Sequence, residues 1–254
     1  MISSNMNSPI SFNPKEIRKY LMNCRLMSSL LACGLLLVSA MTACAEAPAV
    51  NSLTAKEAAD GWILLFDGKT MDAWRNYRKD EVSDGWKVVD GTIKRVGSAG
   101  DIVTREQYEA YELTLDYKIS KGGNSGLMFH VTEQGNTPWM TGPEIQIQDN
   151  KDGHDPQKAG WLYQLYKADE DATNPVGQWN TLRVVISPEK SEIYMNGTKY
   201  CEFVKGSDDW NERVANSKFG SMPLFGKATK GHVALQDHGN EVAFRSLKIR
   251  PIAK

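Results

Sequence analysis

The chain has 254 residues, 30 Lys+Arg against 31 Asp+Glu, and a hydrophobic share of 41%. That composition supports a well-filled core, and its balanced charge, with no basic run interleaved with aromatics, argues against a nucleic-acid partner held through counterion release. Of four cysteines, three precede residue 45, so neither a disulfide framework nor a cysteine-based zinc site can be built in the rest of the chain.

Residues 1–44 read as a secretory leader. Lys15, Arg18, Lys19 and Arg25 precede "LMSSLLACGLLLVSAM", an apolar stretch too short and too poorly flanked for a stable spanning helix. "MTAC" resembles a bacterial lipobox and would place a lipid on Cys44. "ACA", Ala43 to Ala45, is a competing cleavage site of the small-x-small kind. The lipobox reading predicts export to the periplasm or outer membrane, membrane attachment by the lipid anchor alone, and a short flexible tether over 45–60. Cys201, in "TKYCEFV", reads as a packed thiol rather than a nucleophile.

From residue 61 to 252 no linker, charge block or repeat interrupts the pattern, which fits one all-β domain. Trp62, Trp74 and Trp86 flank early strands and read as core or edge cover. "YELTLDYKIS" (Tyr111–Ser120) and "SGLMFHVT" (Ser125–Thr132) alternate apolar with polar residues across the break "KGGN". "TGPEIQIQDN" alternates again, with Ile145 and Ile147 against Glu144, Gln146 and Gln148. "WNTLRVVIS", "SEIYMNG" and "TKYCEFV" follow, the last two joined by Asn196-Gly197, a strong hairpin signal because both turn residues need positive φ. "SDDWNERVANSKFG" (Ser207–Gly220) is the one helical candidate, capped by Ser207 or Asp208 and ended by Gly220. "GHVALQD" and "EVAFRSLKIR" supply two more strands. About a dozen short strands separated by turns predict a two-sheet sandwich.

The polar face of Glu144–Gln148 is the candidate site. Glu144-x-Gln146-x-x-Asp149 parallels the Glu-x-Asp-x-x-Glu strand of sandwich-fold retaining glycosidases, except that its middle residue is an amide, which cannot exchange a proton at neutral pH. Three of the four histidines, His130, His154 and His238, lie in or just after strands that a sandwich could bring together, each able to act as base, metal ligand or surface group. Trp139 and Trp161, in loop-like sequence on either side of this stretch, could stack on sugar rings. No nucleophile elbow, phosphate loop, H-E-x-x-H or EF-hand loop is present, and no motif demands a cofactor.

"GWILLFDGKTMDAW", "NSGLMFHV", "TGPEIQIQDN" with "GHD", "GQWNTLRVVIS", "YMNG" and "GHVALQDHGNEVAFRSLKIRP" occur in that order. Together they resemble the 3-keto-disaccharide (3-keto-glycoside) hydrolase domain family, long known as a domain of unknown function, over about Gly61 to Pro251. Two positions depart from it: Trp161 stands where many members have a small residue, and Ser246 replaces a frequent Asn. The resemblance implies a concanavalin A-like jelly-roll β-sandwich with one short helix. It also implies a glycoside or oligosaccharide substrate already oxidised at C3, and hence a functional link to a sugar 3-oxidoreductase. The implied reaction is proton removal at C2, β-elimination of the C1 substituent and hydration. In that chemistry Glu144 or His130 is the base, and His154 with Asp149 is the acid or a ligand pair for a divalent metal ion. Gln146, Gln236 and His238 orient hydroxyls, Tyr163 lines the cleft, and Trp139 and Trp161 contact the sugar. A non-catalytic carbohydrate-binding or lectin-like module, and a retaining glycosidase acting on unoxidised glycans, are the alternatives.

Overall fold

The computed structural model describes residues 49–252; the leader, Cys44 and the beginning of the tether lie outside the described residues. Among the described residues thirteen strands form two antiparallel sheets, with two short α-helices. The larger sheet runs β11 (Thr198–Phe203), β10 (Ser191–Met195), β9 (Asn180–Ile186), β6 (Tyr111–Ile119), β13 (Val242–Pro251), β4 (Thr92–Arg95) and β3 (Trp86–Val89), and β1 (Ile63–Leu64) also pairs with β13. The smaller sheet runs β2 (Trp74–Asn76), β5 (Ile102–Thr104), β12 (His232–Leu235), β7 (Asn124–Val131) and β8 (Glu144–Gln148). This is the expected jelly-roll sandwich.

The inner faces meet in one core. Leu113, Leu115 and Tyr117 of β6 and Leu182, Val184 and Ile186 of β9 pack with Leu127 and Phe129 of β7, Ile145 and Ile147 of β8, and Val233 and Leu235 of β12. Alternation accounts for this choice, since every second residue of a strand faces the same way. Trp74 and Trp86 are fully buried, and their indole N–H groups donate to the carbonyls of Leu65 (2.7 Å) and Gly100 (2.8 Å). Asn196 and Gly197 take φ values of 49° and 83°, the paired positive values that their hairpin turn requires. Burial pushes the Cys201 thiol up to about 12, which fits a packed thiol.

Two boundaries and the number of helices differ from expectation. The tether does not run to residue 60, because Ala55–Ala59 forms a helix, α1, with a complete capping box between Thr54 and Glu57. Before it, Asn51 bonds Gly91 and Ser246, so the chain is attached to the sandwich from there onward. α1 also makes a second short helix where one was expected. The later helix, α2 (Asp208–Ala215), starts at the Ser207 cap as expected but stops five residues before Gly220. Beyond it the chain turns so that Phe219 stacks on Phe225 with centroids 3.8 Å apart, burial that a continued exposed helix would forgo.

One irregularity redirects a side chain. β7 and β12 pair His232 with Val131 and Ala234 with Met128, so β7 carries an extra residue, and His130 sits at φ 51°. A bulge of this kind breaks the alternation. Val131 takes the outer face that His130 would have occupied, packing with Val103, Met128 and Ala234. The His130 ring turns toward Tyr111 and Phe129 of the main core.

Candidate active site

β8 would be an exposed edge strand, but residues 160–163 cover it. Gln146 N donates to Trp161 O, and Tyr163 N donates to Glu144 O, both at 2.9 Å. Glu144, Gln146 and Gln148 face outward, away from the core, yet they are only 5%, 0% and 2% exposed. The expected wet face of this strand is thus a buried polar floor. Register places Met128, Gly126 and Asn124 of β7 beside these three residues, and Gln236, just beyond β12, bonds Gly126 O through its backbone N–H.

Glu144 lies over Gly126. A Cβ at position 126 would come within 2.8 Å of the Glu144 Cδ, so glycine there makes room for the carboxyl. Burial pushes this carboxyl up to about 8; the Lys218 ammonium and the Gln236 amide act against the rise, while negative charge at Asp101 and Asp155 adds to it. Asp101 is itself pushed up to about 6 by burial, although the backbone N–H of Asp237 donates to it at 2.8 Å.

Lys218 stands exposed at the mouth. Its Nζ is 4.0 Å from the Tyr163 ring centroid and 5.6 Å from that of Trp139, and among the described residues no carboxylate forms an ion pair with it. Aromatic faces therefore position this cation while leaving its charge available. The Tyr163 hydroxyl donates to Asp155 Oδ2 at 2.7 Å, and burial together with that carboxylate raises the phenol further above its ordinary range.

The floor carries unspent hydrogen-bonding capacity. Both amide atoms of Gln146, and the carbonyl oxygens of Asn124, Gln148 and Gln236, are buried without a partner among the described residues. Buried polar groups are nearly always paired, so a cluster of unpaired ones marks a place where water or ligand binds. Carbonyl oxygens are acceptors, the complement of sugar hydroxyls.

Of the residues singled out from the sequence, Glu144, Gln146, Gln236, Tyr163 and Trp139 come together here. The others do not join Glu144 in the same way. His130 is turned inward by the bulge, where its Nε2 contacts Glu109 O at 2.7 Å and its Nδ1 contacts Lys205 Nζ at 2.8 Å. Burial, and then the Lys205 cation, push it down to about 4, so it is a neutral buried link turned away from Glu144. Burial opposes ionisation of Asp149, but N–H groups of Gly122, Lys151 and Asp152 outweigh it and hold the carboxyl below its ordinary range. A carboxylate held ionised in this way organises its turn and is a poor proton donor. His154 and His238 are exposed in loops. Among the described residues no group of three or more His, Cys, Asp or Glu side chains is placed to hold a metal ion. Trp161 is half-buried and borders a groove beside the floor.

Asp101, Asp155 and Lys218 were not anticipated. Asp155 ends the "GHD" motif, a usable signal. Asp101 in "SAGDIVT" and Lys218 in "NSKFG" follow no local pattern, and only chain packing brings them to Glu144.

Fold and site together define a jelly-roll sandwich protein with a buried carboxyl on an amide-lined floor, the equipment of a carbohydrate-active protein. The particular family follows from residues 61–250, which match the model of the 3-keto-alpha-glucoside-1,2-lyase-like domain. The chain belongs to this family. It is 30% identical over 242 residues to a 3-keto-disaccharide hydrolase of Bacteroides thetaiotaomicron, covering 81% of this chain and 83% of that protein. A candidate glycosyl hydrolase of known structure from Parabacteroides distasonis is 36% identical, with a TM-score of 0.76 and coverage of 81% of this chain and all (100%) of that one. A second from the same organism is 27% identical, with a TM-score of 0.61, over 75% and 99% of the two chains.

Proposed function

We propose that this protein cleaves glycosides whose sugar is already oxidised at C3. The carrying observation is Glu144, a buried carboxyl lifted to about 8 above a floor of unpaired amides. A C3 ketone acidifies the C2 hydrogen, and removing it needs a positioned base of raised basicity. A carboxylate with an ordinary value near 4.5 is a weak base, and burial makes Glu144 a stronger one.

In this reading Glu144 takes the C2 proton, and the C2–H electron pair passes through the enolate to form the C1=C2 bond as the C1–O bond breaks. The proton that Glu144 has taken leaves with the departing oxygen, which becomes a hydroxyl, and the carboxylate is restored. Water then adds across the double bond, OH to C1 and H to C2, so the sum is hydrolysis. Lys218 stabilises the negative charge that builds on the C3 oxygen, and Gln146 and Gln236 hold the hydroxyls. The amide at 146 is no handicap here, because elimination does not need two carboxylates spaced for oxocarbenium chemistry. The 30% identity to a 3-keto-disaccharide hydrolase supports the reading. It includes export by the leader and a partner oxidoreductase that supplies the ketone.

The test compares a glucoside with its 3-keto form. Turnover of the 3-keto form alone is expected. Equal turnover of both forms would point to a conventional glycosidase, and tight binding without product to a sugar-binding module.

A further inference from the structure

A groove of about 410 Å³ is lined in part by Trp161, in the segment that pairs with β8, and has no role in the reaction described above. Its place follows from strand register. Ile145 and Leu162 face each other in an antiparallel bridge, and both point into the core with 0% exposure. The flanking residues of the two segments therefore share the outer face: Tyr163 sits beside Glu144, and Trp161 sits beside Gln146. Tyr163 and Trp161 are two positions apart, roughly 7 Å along the chain at strand rise. The Gln146 amide, unpaired at both atoms, lies next to Trp161 in this register.

The groove and the site also share a wall. Gln157 Oε1 accepts the Gln164 N–H, and Gln164 Oε1 accepts the Lys218 N–H, both at 2.9 Å. Gln157, Trp161 and Gln164 face the groove, while Tyr163 and Lys218 face the site. Across the groove, Arg213 stacks 4.5 Å above the Tyr166 ring, bonds Asp209 at 2.9 and 3.0 Å, and donates to Leu165 O at 3.0 Å. Its charge is spent within the protein. Lys167 at the rim is the one lining cation with no ion-pair partner. The rest of the lining is the Trp161 indole, the Tyr166 ring, Leu165, three side-chain amides, the Ser217 hydroxyl and the ion-paired Arg213, a surface suited to an uncharged, hydroxyl-rich ring.

We infer that this groove is the leaving-group subsite, with Trp161 stacking on an uncharged second sugar ring attached at C1. The inference rests on the proposed elimination at the Glu144 site, and it assigns substrate preference to a disaccharide over a glycoside with a small alkyl group.

Two measurements test it. The first compares kcat/KM for a 3-keto-disaccharide and for the methyl 3-keto-glucoside in the wild type, Trp161→Ala and Trp161→Phe. In Trp161→Ala the disaccharide-to-methyl ratio should fall about tenfold, through KM, as for truncation of an aromatic anchor. Trp161→Phe should restore most of it. An unchanged ratio, or equal losses on both substrates, overturns the assignment. The second measurement needs no turnover: free glucose is titrated into each protein and followed by NMR line broadening. Weaker binding in Trp161→Ala supports the subsite, and equal binding overturns it. If the wild type converts neither 3-keto substrate, the elimination reading falls, and the glucose titration alone decides the groove.

Discussion

Replacing Glu144 by Gln removes one proton equilibrium while keeping the side chain's shape, so it should disable the enzyme and stabilise it. In the folded protein the carboxyl stays protonated up to about 8, against an ordinary 4.5. Between these values the unfolded chain has released the proton and the folded one has not. Folding therefore takes up a proton, and stability from this group is present at low pH and lost as pH rises through the window. The interval spans about 3.5 pH units, and at ~1.36 kcal/mol per unit the upper figure is about 5 kcal/mol. Local relaxation and entry of water reduce such penalties, leaving about 2–4 kcal/mol. For a domain of this size that corresponds to roughly 4–16 °C in Tm. The assay is thermal unfolding of wild type and Glu144→Gln from pH 5 to pH 9, taken as a difference so that groups not coupled to Glu144 cancel. The difference should be near zero at pH 5 and should grow in favour of the variant up to pH 8–9. Turnover of a 3-keto-glucoside should fall about 10²–10⁴-fold, and wild-type kcat/KM should rise with pH toward about 8. A Tm difference that is constant across pH would refute the burial argument, and retained turnover would remove Glu144 from the chemistry.

Lys218→Met deletes the cation that draws the Glu144 value down. Its kcat/KM should drop by ~10²-fold, as for loss of one oxyanion donor, and the inflection of the pH–rate profile should move upward. His130→Ala strips a buried partner from Lys205, whose amine burial already pushes down to about 8. It should cost about 1–3 kcal/mol in denaturant unfolding while leaving the pH–rate profile in place, which separates a buried link from a base. Ser246 occupies a β13 bulge at φ 53°, where β13 and β6 lose register. Asn tolerates that region better than Ser, so Ser246→Asn should raise stability by roughly 0.5–1 kcal/mol.

The sandwich was legible because its causes are local. Period-two alternation in Tyr111–Ile119 and Glu144–Gln148 follows from the opposite directions of successive strand side chains, and Asn196-Gly197 announces its own turn. Glu144 and Gln146 were also readable, as polar residues in an alternating run, whereas Gln236 was singled out only through the family resemblance. The sequence could not show that the polar side of β8 is buried, since burial depends on segments outside the strand, residues 160–163 paired along its edge among them. Alternation put His130 on the same face as Glu144, and a single extra residue in β7 turned it inward, a change of pairing visible only against β12. Asp101 and Lys218 stand 43 residues before and 74 after Glu144 by their numbering, and no local preference links positions so distant. The sequence by itself determined the strands, the hairpin and the identity of the central acid. Only the tertiary structure decided which charges surround that acid, and burial together with the Coulomb energies of those neighbours raises an ordinary glutamate to about 8.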